Sequence, residues 1–126
     1  MNNKKPIFDL EERTAKFGEQ IIDLSKKIDP TPIAKPLINQ IIRSATSIGA
    51  NYMEANGGSS KKDFINKIYI CKKEAQETKH WIRMIAHCEP KFKSEAKKLW
   101  LECQELTLIF GKIIQTSKNP NLKIRN

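Results

Sequence analysis

Glu77-x-x-His80 is the pairing with the most specific chemistry in this chain. A glutamate and a histidine three residues apart on a helix share a face, and they match the ligand pair of di-iron helical bundles. Such a centre needs a second pair and two further glutamates, all turned inward, and the chain supplies one pair. A helical projection turns Glu77 and His80 away from the expected core, so a solvated face is expected there. His80 and His87 lie one heptad apart with Cys88 beside the second, but two imidazoles and a thiol lack the fixed fourth ligand of a zinc site. Gly57-Gly58-Ser59 suggests a phosphate loop, yet it lacks the Gly-x-x-x-x-Gly-Lys-Ser/Thr spacing and follows a helix rather than a strand. Neither His-Glu-x-x-His nor Gly-x-Ser-x-Gly occurs. We therefore expect no enzyme, no metal and no cofactor.

Charge offers a second kind of chemistry. The chain of 126 residues carries a net charge of +9, unevenly placed. Segments 1–8 and 118–126 hold five basic residues and no acidic one; segment 57–91 holds eight basic against four acidic, and segment 9–28 four against five. Such concentration is expected of a polyanion-binding surface. Within it Lys72, Gln76, Lys79 and Arg83 form a helical stripe, with Lys61 and Lys62 at the start of the same helix. These five basic side chains are the candidate phosphate contacts. The plain alternative is solubility, with the lysines snorkelling beside a bundle seam and Glu74 and Glu77 as partners. Phe64, Trp81 and Trp100 occupy packing positions rather than a stacking platform, so phosphate contact and shape should dominate over base reading.

Composition bounds the class. Apolar residues make up 39% and charged residues 29%, ordinary for one soluble domain. No apolar run approaches a membrane span, and no signal-peptide core follows Met1. Cys71, Cys88 and Cys103 form no Cys-x-x-Cys pair, which reads as reduced thiols in the cytoplasm.

The elements that must position these groups are helical. Residues 1–8 read as a flexible basic arm. Asp9 and Glu12 resemble a capping box that starts a first helix with the stripe Leu10, Thr14, Phe17, Ile21, Leu24 and Ile28, a heptad seam. Asp29-Pro30-Thr31-Pro32 breaks it. Pro36 falls in the first turn of the second helix, the alternative being a start at Pro32 with a kink at Pro36. That helix keeps the beat with Ile38, Ile41, Ala45, Ile48, Tyr52 and Ala55, and it is rich in small side chains from Ser44 to Ala50. Gly49 costs a helix about 1 kcal/mol against alanine, so it should serve the close approach of another backbone.

Gly57-Gly58 reads as a left-handed helix stop, and Ser60-x-x-Asp63 as the next capping box. The third helix, from about Ser60 to His87, buries Phe64, Ile68, Cys71, Ala75, Thr78, Ile82 and Ile85. One flank carries the basic stripe; the other carries Ile70, Trp81 and Cys88, with Met84 nearby. The fourth begins between Pro90 and Ser94 and buries Phe92, Ala96, Leu99, Cys103, Leu106, Phe110 and Ile113, leaving Leu101 and Leu108 on its far side. The pattern stops after Gln115, and segment 118–126 reads as a basic tail. The expected fold is all-α: an antiparallel, up-down-up-down four-helix bundle over residues 9–117. Ile70, Trp81, Met84, Leu101 and Leu108 remain as surplus apolar surface, the expected interface of a homo-oligomer.

The same residues carry a resemblance. Gln40-Ile41-x-Arg43-Ser44-x-x-Ser47-Ile48-Gly49-Ala50-Asn51-Tyr52-x-Glu54-Ala55, then Ser60-Lys61-x-Asp63-Phe64-Ile65-x-Lys67, then Lys73-Glu74-Ala75-x-Glu77-Thr78-x-x-Trp81-Ile82, resembles the 23S rRNA intervening-sequence proteins, also called the four-helix bundle protein family. The resemblance covers most of the chain. It implies a small bacterial protein without catalytic activity that assembles as a barrel-shaped homopentamer. A similar protein, the accessory variability determinant of diversity-generating retroelements, implies nucleic-acid binding and a reverse transcriptase as partner. Arg43, Ser47, Gly49, Asn51, Tyr52, Glu54, Asp63, Phe64, Lys73, Glu74, Glu77 and Trp81 match the motif, and structural or interfacial roles are expected for them. Two functions follow: an oligomeric accessory protein that binds RNA or DNA, or a helical scaffold whose partner is another protein.

Overall fold

Apolar stripes that repeat every three and four residues leave water only by meeting other such stripes, and four of them meet here. The computed structural model describes residues 9–58 and 60–118. In it α1 (Leu10–Lys27), α2 (Ala34–Asn56), α3 (Lys61–Cys88) and α4 (Lys93–Lys118) share one core, with a 3₁₀ turn over Pro90–Phe92. Among the described residues there is no strand. The basic arm 1–8, Ser59 and residues 119–126 of the expected tail lie outside the described residues, while Lys118 is the last residue of α4.

All six stripe residues of α1 are buried. So are Ile41, Ala45, Ile48, Tyr52 and Ala55 on α2, the run from Ile68 to Ile85 on α3, and the run from Ala96 to Phe110 on α4. Ile38, Phe64 and Phe92 are half-buried at the ends of their rows. In the last turns of α4, Ile114 and Ser117 are buried and Ile113 only partly so. A helix of 3.6 residues per turn drifts away from a strict 3.5 repeat, which shifts the contact by one position.

Polar atoms in the core tie one helix to the next. The Ser44 and Thr78 hydroxyls lie 2.8 Å apart between α2 and α3. The Cys71 Sγ is 3.6 Å from the Ile48 carbonyl oxygen, and the Cys103 Sγ is 3.1 Å from that of Ala75. Between α1 and α2, a Cβ built on Gly49 would lie 3.3 Å from the Thr14 Oγ1 and 3.5 Å from the Thr14 carbonyl carbon. Gly49 thus serves the close approach expected of it. Gly49→Val is expected to destabilise by about 1–3 kcal/mol by forcing the two helices apart. Gly49→Ala should stay near the wild type, its gain in helix propensity offsetting a small displacement of Thr14. Urea midpoints at an unchanged slope measure both.

The helix ends depart from expectation in two places. Asp9 makes no side-chain cap bond to α1; its backbone (φ −84°, ψ 38°) is not extended as a capping residue requires. Gly57 ends α2 at φ −90° and ψ 5°, and no described glycine has a positive φ, so the left-handed stop does not form. The Gly57 N–H donates to the Met53 carbonyl at 3.2 Å and the Gly58 N–H to that of Ala55 at 3.1 Å. Glycine at 58 answers a steric need instead, since a Cβ there would sit 3.1 Å from the Ala55 oxygen. The expected cap at Ser60 does form. Ser60, extended at φ −144° and ψ 161°, accepts the Asp63 N–H at 3.0 Å. The Thr31 hydroxyl accepts the Ala34 N–H at 3.1 Å, and the Thr31 carbonyl the Lys35 N–H at 2.9 Å. Regular α2 begins at Ala34 with Pro36 in its first turn.

Candidate nucleic-acid interface

Carboxylates are distributed unequally over the seams between helices. Between α1 and α4, the Arg13 Nε donates to the Glu102 Oε2 at 2.7 Å, its Nη2 reaches the Glu105 Oε1 at 2.7 Å, and Lys27 pairs with Glu95 at 3.0 Å. Between α2 and α3, Arg43 pairs with Glu74 and Glu77, and Lys67 with Glu54. The expected pairing of Glu74 and Glu77 with the stripe lysines is therefore not found, because both carboxylates leave α3 on the edge facing α2. The Trp81 Nε1 also donates to Glu77, at 2.9 Å.

The α3–α4 seam is different. It holds a shallow groove of about 420 Å³ lined by Lys72, Gln76 and Lys79 of α3 and by Gln104, Thr107, Leu108, Gly111, Lys112 and Gln115 of α4. Three ammonium groups and three amides face this groove, and no described carboxylate lines it. The Lys79 Nζ donates to the Gln104 Oε1 and lies 5.2 Å from the Trp100 ring centroid, so the indole and the amide hold this lysine along the groove. The Lys72 stem runs beside Gly111, where a Cβ would lie 3.9 Å from its Cε and Nζ, at ordinary van der Waals contact. By contrast, the hollow between α1 and α4 mixes Arg13, Lys16 and Lys98 with Glu102.

Of the five candidate phosphate contacts, Lys72 and Lys79 meet in this groove. Arg83 is exposed one turn beyond Lys79, and Lys61 and Lys62 are exposed in the first turn of α3. At about 100° per residue Lys61, Lys72, Lys79 and Arg83 follow one line along the helix, but only the middle pair has a second wall. Lys112 was missed. The projection of a single helix cannot show it, and its signal lies in the register of α4 against α3.

Among the surplus apolar residues, Leu101 and Leu108 are 52% and 61% exposed and Ile70 is 36%. Met84 and Trp81 are half-buried, and Trp81 packs against the core. Several motif positions are tied within α2 or across the core: the Ser47 hydroxyl donates to the Arg43 carbonyl at 2.7 Å, the Asn51 amide to the Ser47 carbonyl at 2.9 Å, and the Tyr52 ring packs 6.2 Å from that of Phe110 on α4. His80 is exposed, edge-on to Trp81 at 4.8 Å. Among the described residues no three His, Cys, Asp or Glu side chains gather as a metal ion would require.

Burial raises the Cys71 and Cys103 thiols to about 12 each, while Cys88 is half-buried. Reactivity follows the thiolate, so alkylation of native protein near pH 8 should label Cys88 first and leave the other two intact until unfolding. Peptide mass mapping with and without denaturant checks this; equal labelling of all three in native protein would contradict it.

Among the described residues no helix is long and apolar enough to cross a membrane. A family model described as 23S rRNA-intervening sequence protein matches residues 8–112. Among solved structures, the crystal structure of a protein of unknown function from the S23 ribosomal protein family of Bacteroides thetaiotaomicron is similar. It shares 32% identity at a TM-score of 0.77, over 84% of this chain and 98% of that chain. No curated protein matches. With most of its length matched by that family model, the chain belongs to the 23S rRNA-intervening sequence protein family.

Proposed function

We propose that this chain is a non-enzymatic, homo-oligomeric nucleic-acid-binding protein that grips phosphates along the α3–α4 groove. One observation carries the reading: three lysines and three glutamines line that groove without a described carboxylate, while ion pairs occupy the α1–α4 and α2–α3 seams and Glu11 and Glu19 line the hollow between α1 and α2. Arg83, Lys61 and Lys62 extend the contact along α3. Salt-dependent phosphate contact is the main source of non-specific affinity for structured RNA or DNA, and repetition of the groove on several subunits multiplies it.

The antiparallel bundle is supported by the order of contacts, since Ser44, Ile48 and Glu54 meet Thr78, Cys71 and Lys67 in turn. Exposed Leu101 and Leu108 support self-association, with a pentameric ring suggested by the resemblance. Three cysteines without a disulfide support a cytoplasmic location. By family analogy with retroelement accessory proteins, a reverse transcriptase is a candidate partner.

Fluorescence anisotropy with structured RNA and DNA across about 50–200 mM salt tests the reading, with native mass measured on the same sample. Steeply salt-dependent binding by an oligomer is expected. An intact oligomer that binds neither ligand near 50 mM salt would favour the second reading, a helical scaffold whose exposed Leu101 and Leu108 dock another protein.

A further inference from the structure

Among the described residues, aromatic side chains are almost all inside the protein. Phe17, Tyr52 and Phe110 are buried, and Phe64, Trp81, Phe92 and Trp100 pack half-buried against the core. Tyr69 is 43% exposed. It stands on α3 one turn before Lys72 and Lys73. The Lys118 Nζ lies 2.8 Å from its hydroxyl oxygen and 5.5 Å from its ring centroid. Those two distances place the ammonium beyond the hydroxyl and close to the ring plane. Lys118 anchors the edge of the ring without covering either face.

Beside Tyr69 is a shallow hollow of about 300 Å³ on the surface of α3, lined by Tyr69, Ile70, Lys72, Lys73 and Gln76. Lys72 and Gln76 also line the α3–α4 groove, so the hollow and the groove lie side by side. An exposed aromatic ring beside an aliphatic side chain, one amide and two lysines is the combination that receives an unstacked nucleobase with phosphates on either side. A continuous duplex has no free base face to offer this ring.

We infer that Tyr69 is a stacking subsite for one unpaired base, so that the groove takes single-stranded or looped nucleic acid in preference to uninterrupted duplex. The inference rests on the phosphate-binding reading of the groove and adds the ligand class. Stacking displaces no counterion, so its signature is separable from that of the lysines.

The test uses the full chain, with Tyr69→Leu and Tyr69→Phe beside the wild type, each checked by thermal melting. Three labelled ligands are titrated: an oligouridylate, a hairpin with an unpaired loop, and a blunt duplex of equal phosphate number. Tyr69→Leu is expected to weaken the first two by about tenfold to a hundredfold and the duplex by less than about twofold, with the salt slope unchanged. Tyr69→Phe keeps the ring, loses the bond to Lys118 and should bind like the wild type. Equal losses on all three ligands, no loss on any, or an altered salt slope would overturn the stacking subsite while leaving the groove in place. A wild type that binds none of the three removes the groove reading, and the subsite falls with it.

Discussion

Replacing Lys72, Lys79 and Lys112 together by alanine is expected to weaken binding of structured RNA about a hundredfold near 0.1 M salt, and to flatten the log–log salt dependence by about three units. Each lysine that neutralises a phosphate releases about one counterion, and the three act in one groove. A control of equal net charge separates the local effect from the general one. Lys16, Lys26 and Lys35 are exposed on α1 and α2, and their joint replacement should change the slope far less. Similar losses in both triple variants would mean that attraction comes from overall charge, and the groove assignment would be wrong. Thermal melting of both variants guards against unfolding as the cause.

Phe110→Ala should cost about 3–5 kcal/mol, the largest stability loss expected of a single truncation here. The Phe110 side chain is fully buried, and its ring lies 6.2 Å from that of Tyr52 across the core. Removing it leaves a cavity that two rigid helices cannot close, because backbone polar bonds hold each helix straight. The melting temperature should fall by roughly 10–20 °C. Leu108→Ala, two residues earlier and 61% exposed, should change monomer stability by less than about 0.5 kcal/mol. Protein concentration must be held fixed in both measurements, since association itself stabilises the folded state. Equal effects at the two positions would contradict the placement of the α4 stripe.

The core was legible in the sequence because the heptad period is a one-dimensional signal: Leu10 to Ile28 and Ile68 to Ile85 could be marked as inward-facing from spacing alone. Ile114 escaped it because drift accumulates along a long helix, and the Gly57 turn escaped because glycine permits a left-handed stop without requiring one. The site was half legible. Lys72 and Lys79 stand on one helix and their shared line can be counted. Lys112, Gln104 and Gly111 join them only through the register between two helices, which no single-helix projection contains. The partners of Glu74 and Glu77 were misjudged for the same reason, because Arg43 approaches from α2. Tyr69 drew no notice because it falls on no apolar row.

The uneven placement of carboxylates also bears on how the folded chain responds to its solvent. Lys72, Lys79 and Lys112 face one another across a seam that no described counter-charge lines, so their mutual repulsion persists in the unliganded protein. Added salt therefore relaxes this seam while it loosens the Arg13 cluster between α1 and α4 and the Arg43 cluster between α2 and α3. A polyanion lying along the groove, as proposed, would quench the repulsion and leave those clusters untouched, acting as a counterion of the fold.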